Sequence, residues 1–351
     1  MSPWNALYRE LTKQRKRLLT KKHVVGCGIG IKEKGGRPTT TPAIMVFVDK
    51  KRPVASLTRK ERIPELLNGI ATDVVEVGNL RLLTSDNDIR TKEMRPARPG
   101  ISIGHYLVSA GTFGAVAYDG TTGEPLILSN NHVLANSSAG DNARAKEGDP
   151  VYQPGTYDGG NAKDTIGHLL RFVPIHAESQ PVECTWAHAT EWLANRILQT
   201  FHRRYRLRFE RLAERVNLVD AAVARPIDPK LLDPYIVGLG YIRGVAEIEP
   251  GQVIRKSGRS SGVNSGVVRA IRATLNVSLG DAGIAQFDDQ IVTTPMAQPG
   301  DSGSVGLNEA NEIVGLLFAG SAESTIYNRI QHVMELLHIH FNPNARYDRN
   351  R

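Results

Sequence analysis

The run Pro299-Gly300-Asp301-Ser302-Gly303-Ser304 constrains this chain more than any other stretch. It lies between a turn-rich approach, 293–298, and an apolar strand, 313–318, so its serine is held in a tight turn. Gly300 and Gly303 leave bare backbone beside the hydroxyl, and the amides of Gly300 and Ser302 can converge on one developing oxyanion. A free serine hydroxyl is a poor nucleophile until a neighbouring base takes its proton. The chain must therefore supply a histidine and a carboxylate from elsewhere.

Both occur upstream. The segment 125–134 reads as a strand (Leu126, Ile127, Leu128) running into Ser129-Asn130-Asn131-His132-Val133-Leu134, where the strand gives way to a turn or short helix. Further on, 217–224 reads as an apolar strand carrying a single carboxylate, Asp220. The order His132, Asp220, Ser302 is the chymotrypsin order, distinct from that of subtilisins or α/β-hydrolases. Asp158 and Asp164 lack the strand context of Asp220 and rank second as the acid.

With these residues in view, the chain resembles the trypsin-like, chymotrypsin-fold serine peptidases. Four stretches carry the likeness: the box around His132, the strand from Asp220, the Gly-Asp-Ser-Gly-Ser box, and 253–268 with Lys256-Ser257-Gly258-Arg259-Ser260-Ser261-Gly262. The last looks like the strand-turn-strand that opens the second barrel in bacterial members of the α-lytic and streptogrisin types. Over its whole length the chain looks closer still to intracellular bacterial members related to the plant narrow-leaf proteins. The likeness covers 100–340 well and the first hundred residues in general pattern.

The resemblance implies a mainly β fold of two six-stranded antiparallel barrels, with a small N-terminal α/β domain and a long helical insertion. It implies acyl-enzyme cleavage of peptide bonds, with Ser302 as nucleophile, His132 as base, Asp220 as the acid that orients it, and Gly300 and Ser302 as oxyanion hole. Asp301 is expected to turn inward and support the oxyanion loop. A buried carboxylate is costly without a cation, and Lys256 matches the basic residue of bacterial members, so the two are expected to pair. The substrate pocket is expected from Met296, Phe318 and Gly320. Met296 in place of an acid implies a small or medium apolar residue before the scissile bond, Gly320 leaves the mouth open, and Phe318 departs from the usual small polar residue.

Length fits a peptidase core plus an appendage: 351 residues, with a net charge of +8. No run of 18 apolar residues exists, so no membrane span is expected. The N-terminus is basic (Lys13, Arg15, Lys16, Arg17, Lys21, Lys22) and lacks the apolar block of a secretory signal, which suggests a cytoplasmic protein. Cys27 and Cys184 are the only cysteines. Secreted relatives commonly close the segment matching 255–265 with a disulfide; its absence here agrees with a reducing compartment. Neither cysteine has a catalytic signature. His332, His338 and His340 do not form a ligand set, and neither metal nor cofactor is expected.

Four regions are expected. Residues 1–78 hold a helix, 4–19, with Trp4, Leu7, Tyr8 and Leu11 on one side, packed on its neighbour or lying on a membrane surface. A small α/β unit follows, with strands 24–31, 43–48 and 70–77 and a helix over 56–67. Its Gly26, Gly28 and Gly30 precede no helix, so close backbone approach or a bulge is favoured over a nucleotide fingerprint. Residues 79–100, with Arg90, Lys92, Arg95 and Arg98, read as an exposed basic linker, either processed or an uncut connector.

Residues 101–233 form the first barrel, with 148–160 a loop and 187–216 an inserted helix. In that helix Leu193, Ile197, Phe201, Tyr205, Leu212 and Val216 recur mostly four apart. Its seven arginines favour a solvated helix or subunit contact over nucleic-acid binding, and a homo-oligomer is open. Residues 234–351 form the second barrel and a C-terminal helix, 326–338. The expected partner is a peptide or protein substrate, the enzyme being active as made or latent until activated. The rival is a catalytically silent protein- or nucleic-acid-binding module on the same frame.

Overall fold

The computed structural model describes residues 3–35, 37–78, 89–140, 144–177, 179–181, 185–201, 210–212, 216–280 and 283–342. The fold is mainly β, with few helices. The first unit comprises α1 (Pro3–Leu19), β1 (Val24–Lys34), β2 (Arg37–Val48), β3 (Leu66–Leu67) and β4 (Ile70–Glu76). Leu7, Leu11 and Leu18 follow helical spacing, and α1 buries them against Ile29, Ile44 and Val46 of β1 and β2.

The helix expected over 56–67 is absent. A single 3-10 turn, Val54–Ser56, is followed by turns and by β3. Pro64 has no backbone N–H to give a helix and disfavours helical geometry at Ile63. The side chain of Glu61 accepts from the N–H and hydroxyl of Thr58 in a local turn.

The middle of the chain supplies β5 (Ser102–His105), β6 (Gly111–Thr112), β7 (Ala115–Asp119), β8 (Pro125–Ser129), α2 (Asn131–Leu134), β9 (Pro150–Tyr152), β10 (Thr165–Phe172) and β13 (Ala222–Pro226). Between β10 and β13 lie β11 (Ser179–Pro181), α3 (Thr185–Phe201) and β12 (Glu210–Leu212). The last part supplies β14 (Gly244–Val245), β15 (Val253–Gly258), β16 (Gly262–Ser278), β17 (Ile284–Thr293), β18 (Val305–Leu307), β19 (Glu312–Gly320), β20 (Thr325–Arg329), α4 (Ile330–Leu337) and β21 (Ile339–His340).

One sheet has the order β15-β18-β19-β20-β17-β16-β1-β2-β4-β3, and a further pairing of β15 with β16 joins its first six strands into a ring. A second runs β21-β7-β8-β13-β10-β9-β5-β6, and β11 and β12 form a third, two-stranded sheet. Two closed six-stranded barrels therefore describe this chain only in part: among the described residues the second path is eight strands long and stays open. The glycines of β1 have a packing reason. A Cβ on Gly30 would stand 2.0 Å from the carbonyl oxygen of Arg269, and one on Gly26 would stand 2.1 Å from Leu275. β1 thus lies tight against β16, with a register shift between Cys27 and Ile29.

Four further expectations change. The inserted helix is Thr185–Phe201; residues 202–209, with Tyr205, lie outside the described residues, and 210–212 form a strand paired with Ser179–Pro181. Spacing of four across 201–216 cannot tell a helix from a strand whose partner lies thirty residues upstream. The expected loop 148–160 contains β9, paired with β5 and β10.

Residues 326–329 of the expected last helix belong to β20, claimed by β17 on one side and β19 on the other. In the expected linker, 79–88 lie outside the described residues. Arg90 is buried, however, and donates to the Gly100 carbonyl and to Ser257, while Ala97 is fully buried. That half is packed into the body because a guanidinium out of water must find acceptors.

Candidate active site

α2 begins directly after β8, and the turn carries His132 outward while Asn131, Val133 and Leu134 are buried. Asp220 precedes β13 rather than lying inside a strand. Its backbone is pinned: its N–H donates to Asn328 at 3.0 Å, and its carbonyl accepts from Asn130 at 2.7 Å. Its carboxylate, 1% exposed, grips His132 twice. One oxygen accepts from the backbone N–H at 3.1 Å and the other meets Nδ1 at 2.5 Å. Nε2 has no hydrogen-bond partner among the described residues.

Ser302 follows a bend at Gly300, whose φ of +95° an L side chain rarely adopts. The loop is stitched to β6. The N–H of Thr112 donates to the Ser302 carbonyl at 2.7 Å, and its hydroxyl donates to the Gly300 carbonyl at 2.8 Å. The carbonyl of the same threonine accepts from Ser129, at the end of β8, at 2.7 Å. A Cβ on Gly303 would fall 2.1 Å from that Ser129 hydroxyl, so only glycine allows the approach. The loop thus rests on the strand that ends beside His132.

The amides of Gly300 and Ser302 are both in buried residues, and neither donates to any described residue. Buried N–H groups without partners are uncommon and costly. The hydroxyl of Ser302 donates to the Phe318 carbonyl at 3.5 Å, and no hydrogen bond among the described residues joins it to His132.

Beneath the loop, Asp301 is wholly buried and saturated. Lys256 meets it at 2.5 Å with both side chains 0% exposed. It also accepts from the amides of Gln298, Ser260 and Ser261 and the hydroxyl of Ser261. Burial lowers the Lys256 pKa, and the charge of Asp301 opposes that shift. A Cβ on Gly258 would stand 2.3 Å from Asp301 Oδ1, so this glycine makes room for the carboxylate.

Neither second-ranked acid is bonded to His132. Asp158 forms a fork with buried Arg259, through Nε at 2.9 Å and through Nη2, and accepts from Ser102. Asp164 caps a 3-10 turn. Arg259 reaches the underside of the loop, since a Cβ on Gly300 would stand 2.9 Å from its Nη1.

Of the expected pocket residues, Met296 is buried against Tyr327, whose hydroxyl lies 3.3 Å from its sulfur. The Phe318 ring is fully buried against Phe287, with centroids 4.7 Å apart, so this residue faces Ser302 with backbone only. Gly320 is buried at the end of β19. Burial pushes the Cys27 thiol up to about 12, which leaves it protonated and unreactive at neutral pH. Cys184 lies outside the described residues.

Sequence reading missed Thr112, Asn328 and the Arg259–Asp158 fork. Arg259 lies inside a stretch already singled out, but its partner is 101 residues away. Thr112 and Asn328 carry no local signal at all, since their acceptors and donors are fixed only by strand packing.

No family model matches the chain, and no curated protein does. Solved structures do. A glutamic-acid-specific serine protease that uses a histidine triad in substrate binding is 17% identical, covering 70% of this chain and 100% of that one, with a TM-score of 0.42. Thermobifida fusca protease A is 13% identical over 70% and 98%, TM-score 0.44. Cellulomonas bogoriensis chymotrypsin is 14% identical over 70% and 98%, TM-score 0.42. The chemistry open to this chain is set by its own side chains.

Proposed function

We propose that the protein is a serine endopeptidase of the chymotrypsin type, acting through Ser302, His132 and Asp220. One observation carries this reading: Asp220 holds His132 by ring and backbone together and leaves Nε2 without a partner among the described residues, and the serine loop is tied through Thr112 to Ser129, three residues before that histidine. A carboxylate at Nδ1 fixes the tautomer in which Nε2 is the basic nitrogen and stabilises the imidazolium once it forms. Nε2 would then take the Ser302 proton as the hydroxyl attacks a peptide carbonyl, and return it to the leaving amine.

The amides of Gly300 and Ser302 would receive the oxyanion. They are preorganised, because Asp301, Lys256 and Arg259 hold the loop from below and Thr112 holds it from the side; such donors need no reorganisation as charge develops. Lys256 supplies the counter-charge internally, so the hole needs no newly cut N-terminus. The wall of the substrate cleft would be the backbone of Phe318 to Gly320, with Met296 closing its base, which suits a small or medium apolar side chain.

The hydroxyl of Ser302 is turned to Phe318, and the residue is 1% exposed. This favours a resting state in which bound substrate turns the hydroxyl towards His132; catalytic hydrogen bonds commonly tighten only in the substrate complex. No observation favours the silent binding module. Labelling with a fluorophosphonate, with Ser302→Ala as control, decides the matter: a tag on the wild-type chain alone is expected. An intact, folded wild-type chain that stays unlabelled even with added peptide substrate would end the peptidase reading.

A further inference from the structure

The first unit contains a cavity of about 310 Å³ at the start of β1 and the end of β2. That is within the roughly 300–1,000 Å³ usual for small-molecule sites. Its floor is apolar, made by Val24, Val48, Leu57, Ile63 and Val74. Val24 and Val48 are buried, whereas Val54, on the lining, is 66% exposed and offers apolar surface with nothing packed over it.

The rim is cationic: Lys22, Lys50, Lys51, Arg52 and Arg62 share the lining with Glu61 and Glu65, while Asp49 and Glu76 stand beside it, accepting from the backbone N–H groups of Lys50 and Lys51. Glu61 is already engaged. Thr58 donates to it twice and holds its carboxyl group below the ordinary range, and Lys22 stands 4.0 Å away. Lys50, Lys51, Arg52 and Arg62 have no carboxylate within salt-bridge reach among the described residues. Arg52 reaches only the His23 ring, at 3.4 Å, and Arg62 only the Leu57 carbonyl, at 3.2 Å. The wall is fixed in advance, because Lys21, two residues after α1, donates to the carbonyls of Lys60 and Arg62 at 2.6 and 2.9 Å.

We propose that this cavity binds a small anionic amphiphile, a carboxylate or phosphate head on an aliphatic body. The apolar floor gives an inorganic ion nothing beyond the rim charges. The rim repels a cationic amphiphile, and a neutral one forgoes the surplus of positive charge. Only a ligand with both parts uses the whole site. The binding owes nothing to Ser302 and stands or falls apart from the peptidase reading.

Isothermal titration of the full-length protein with decanoate and with decyl phosphate tests it, and the tighter of the two identifies the head. Saturable one-to-one binding is expected that weakens with salt and falls by about tenfold or more in Lys50→Glu/Lys51→Glu/Arg52→Glu. Circular dichroism verifies that the variant is folded; should it not fold, Lys51→Glu alone is read, with a smaller loss in the same direction. Equal affinity for decanol or decyltrimethylammonium, competition by inorganic phosphate at the same concentration, an unchanged charge variant, or no heat from the folded wild-type chain would overturn the assignment.

Discussion

His132 and His105 make the same pair with opposite consequences. Each meets one aspartate through one ring nitrogen: His132 Nδ1 to Asp220, and His105 Nε2 to Asp149 at 3.1 Å. The second nitrogen of His105 is also taken, since it accepts from the Leu107 amide at 3.2 Å. Its side chain is 0% exposed. Burial holds its pKa below the usual imidazole value against the pull of Asp149, so it stays neutral and structural. His132 is partly exposed, and its Nε2 has no hydrogen-bond partner among the described residues. A carboxylate partner therefore does not by itself mark a histidine as a base; a nitrogen left without a partner is also required.

The sharpest way to break that comparison is to remove the proposed nucleophile or the proposed base. Ser302→Ala and His132→Ala are expected to lower kcat roughly 10⁴- to 10⁶-fold on whichever peptide substrate is found, measured alongside His105→Gln, which should retain most of the wild-type rate if it folds. Asp220→Asn should cost roughly 10⁴-fold by favouring the wrong tautomer, while Asp149→Asn leaves kcat/KM within a few-fold. Equal loss from the two asparagine variants would erase the distinction between the pairs.

Lys256→Met leaves Asp301 buried beside no cation, and about 3–5 kcal/mol of stability should be lost in urea unfolding. Asp149→Asn, which weakens the hydrogen bonds its carboxylate accepts from His105 and from the Lys146 amide, should cost nearer 1–3 kcal/mol.

The smallest effect is a pH slope. Because the folded pKa of His105 is depressed, its stabilising share is complete above the usual imidazole value and is lost as pH falls through that value towards the folded one. Urea midpoints followed downwards from neutral pH should therefore decline, and His105→Gln should flatten that part of the curve. An identical slope in both proteins would assign the decline to other groups.

Much of the site was legible in the chain itself. The Gly-Asp-Ser-Gly-Ser turn and the Asn-Asn-His box are local, and their chemistry follows from residue types a few positions apart. The close approach at β1 was legible for the same reason: glycines at alternate positions leave one face of a strand bare. Residues 326–329 show the opposite case. Their apolar pattern suits a helix or a strand, and pairing with β17 and β19, fixed far away in the chain, decided for the strand.

What the sequence determined by itself was the set of reactive groups and the turns that present them, because φ preferences, hydroxyls and imidazoles act over a few residues. Only the tertiary structure decided which aspartate serves His132, which seals His105 and which locks Arg259. Those choices depend on where strands separated by 40 to more than 100 positions come together, and on how much water is excluded when they do.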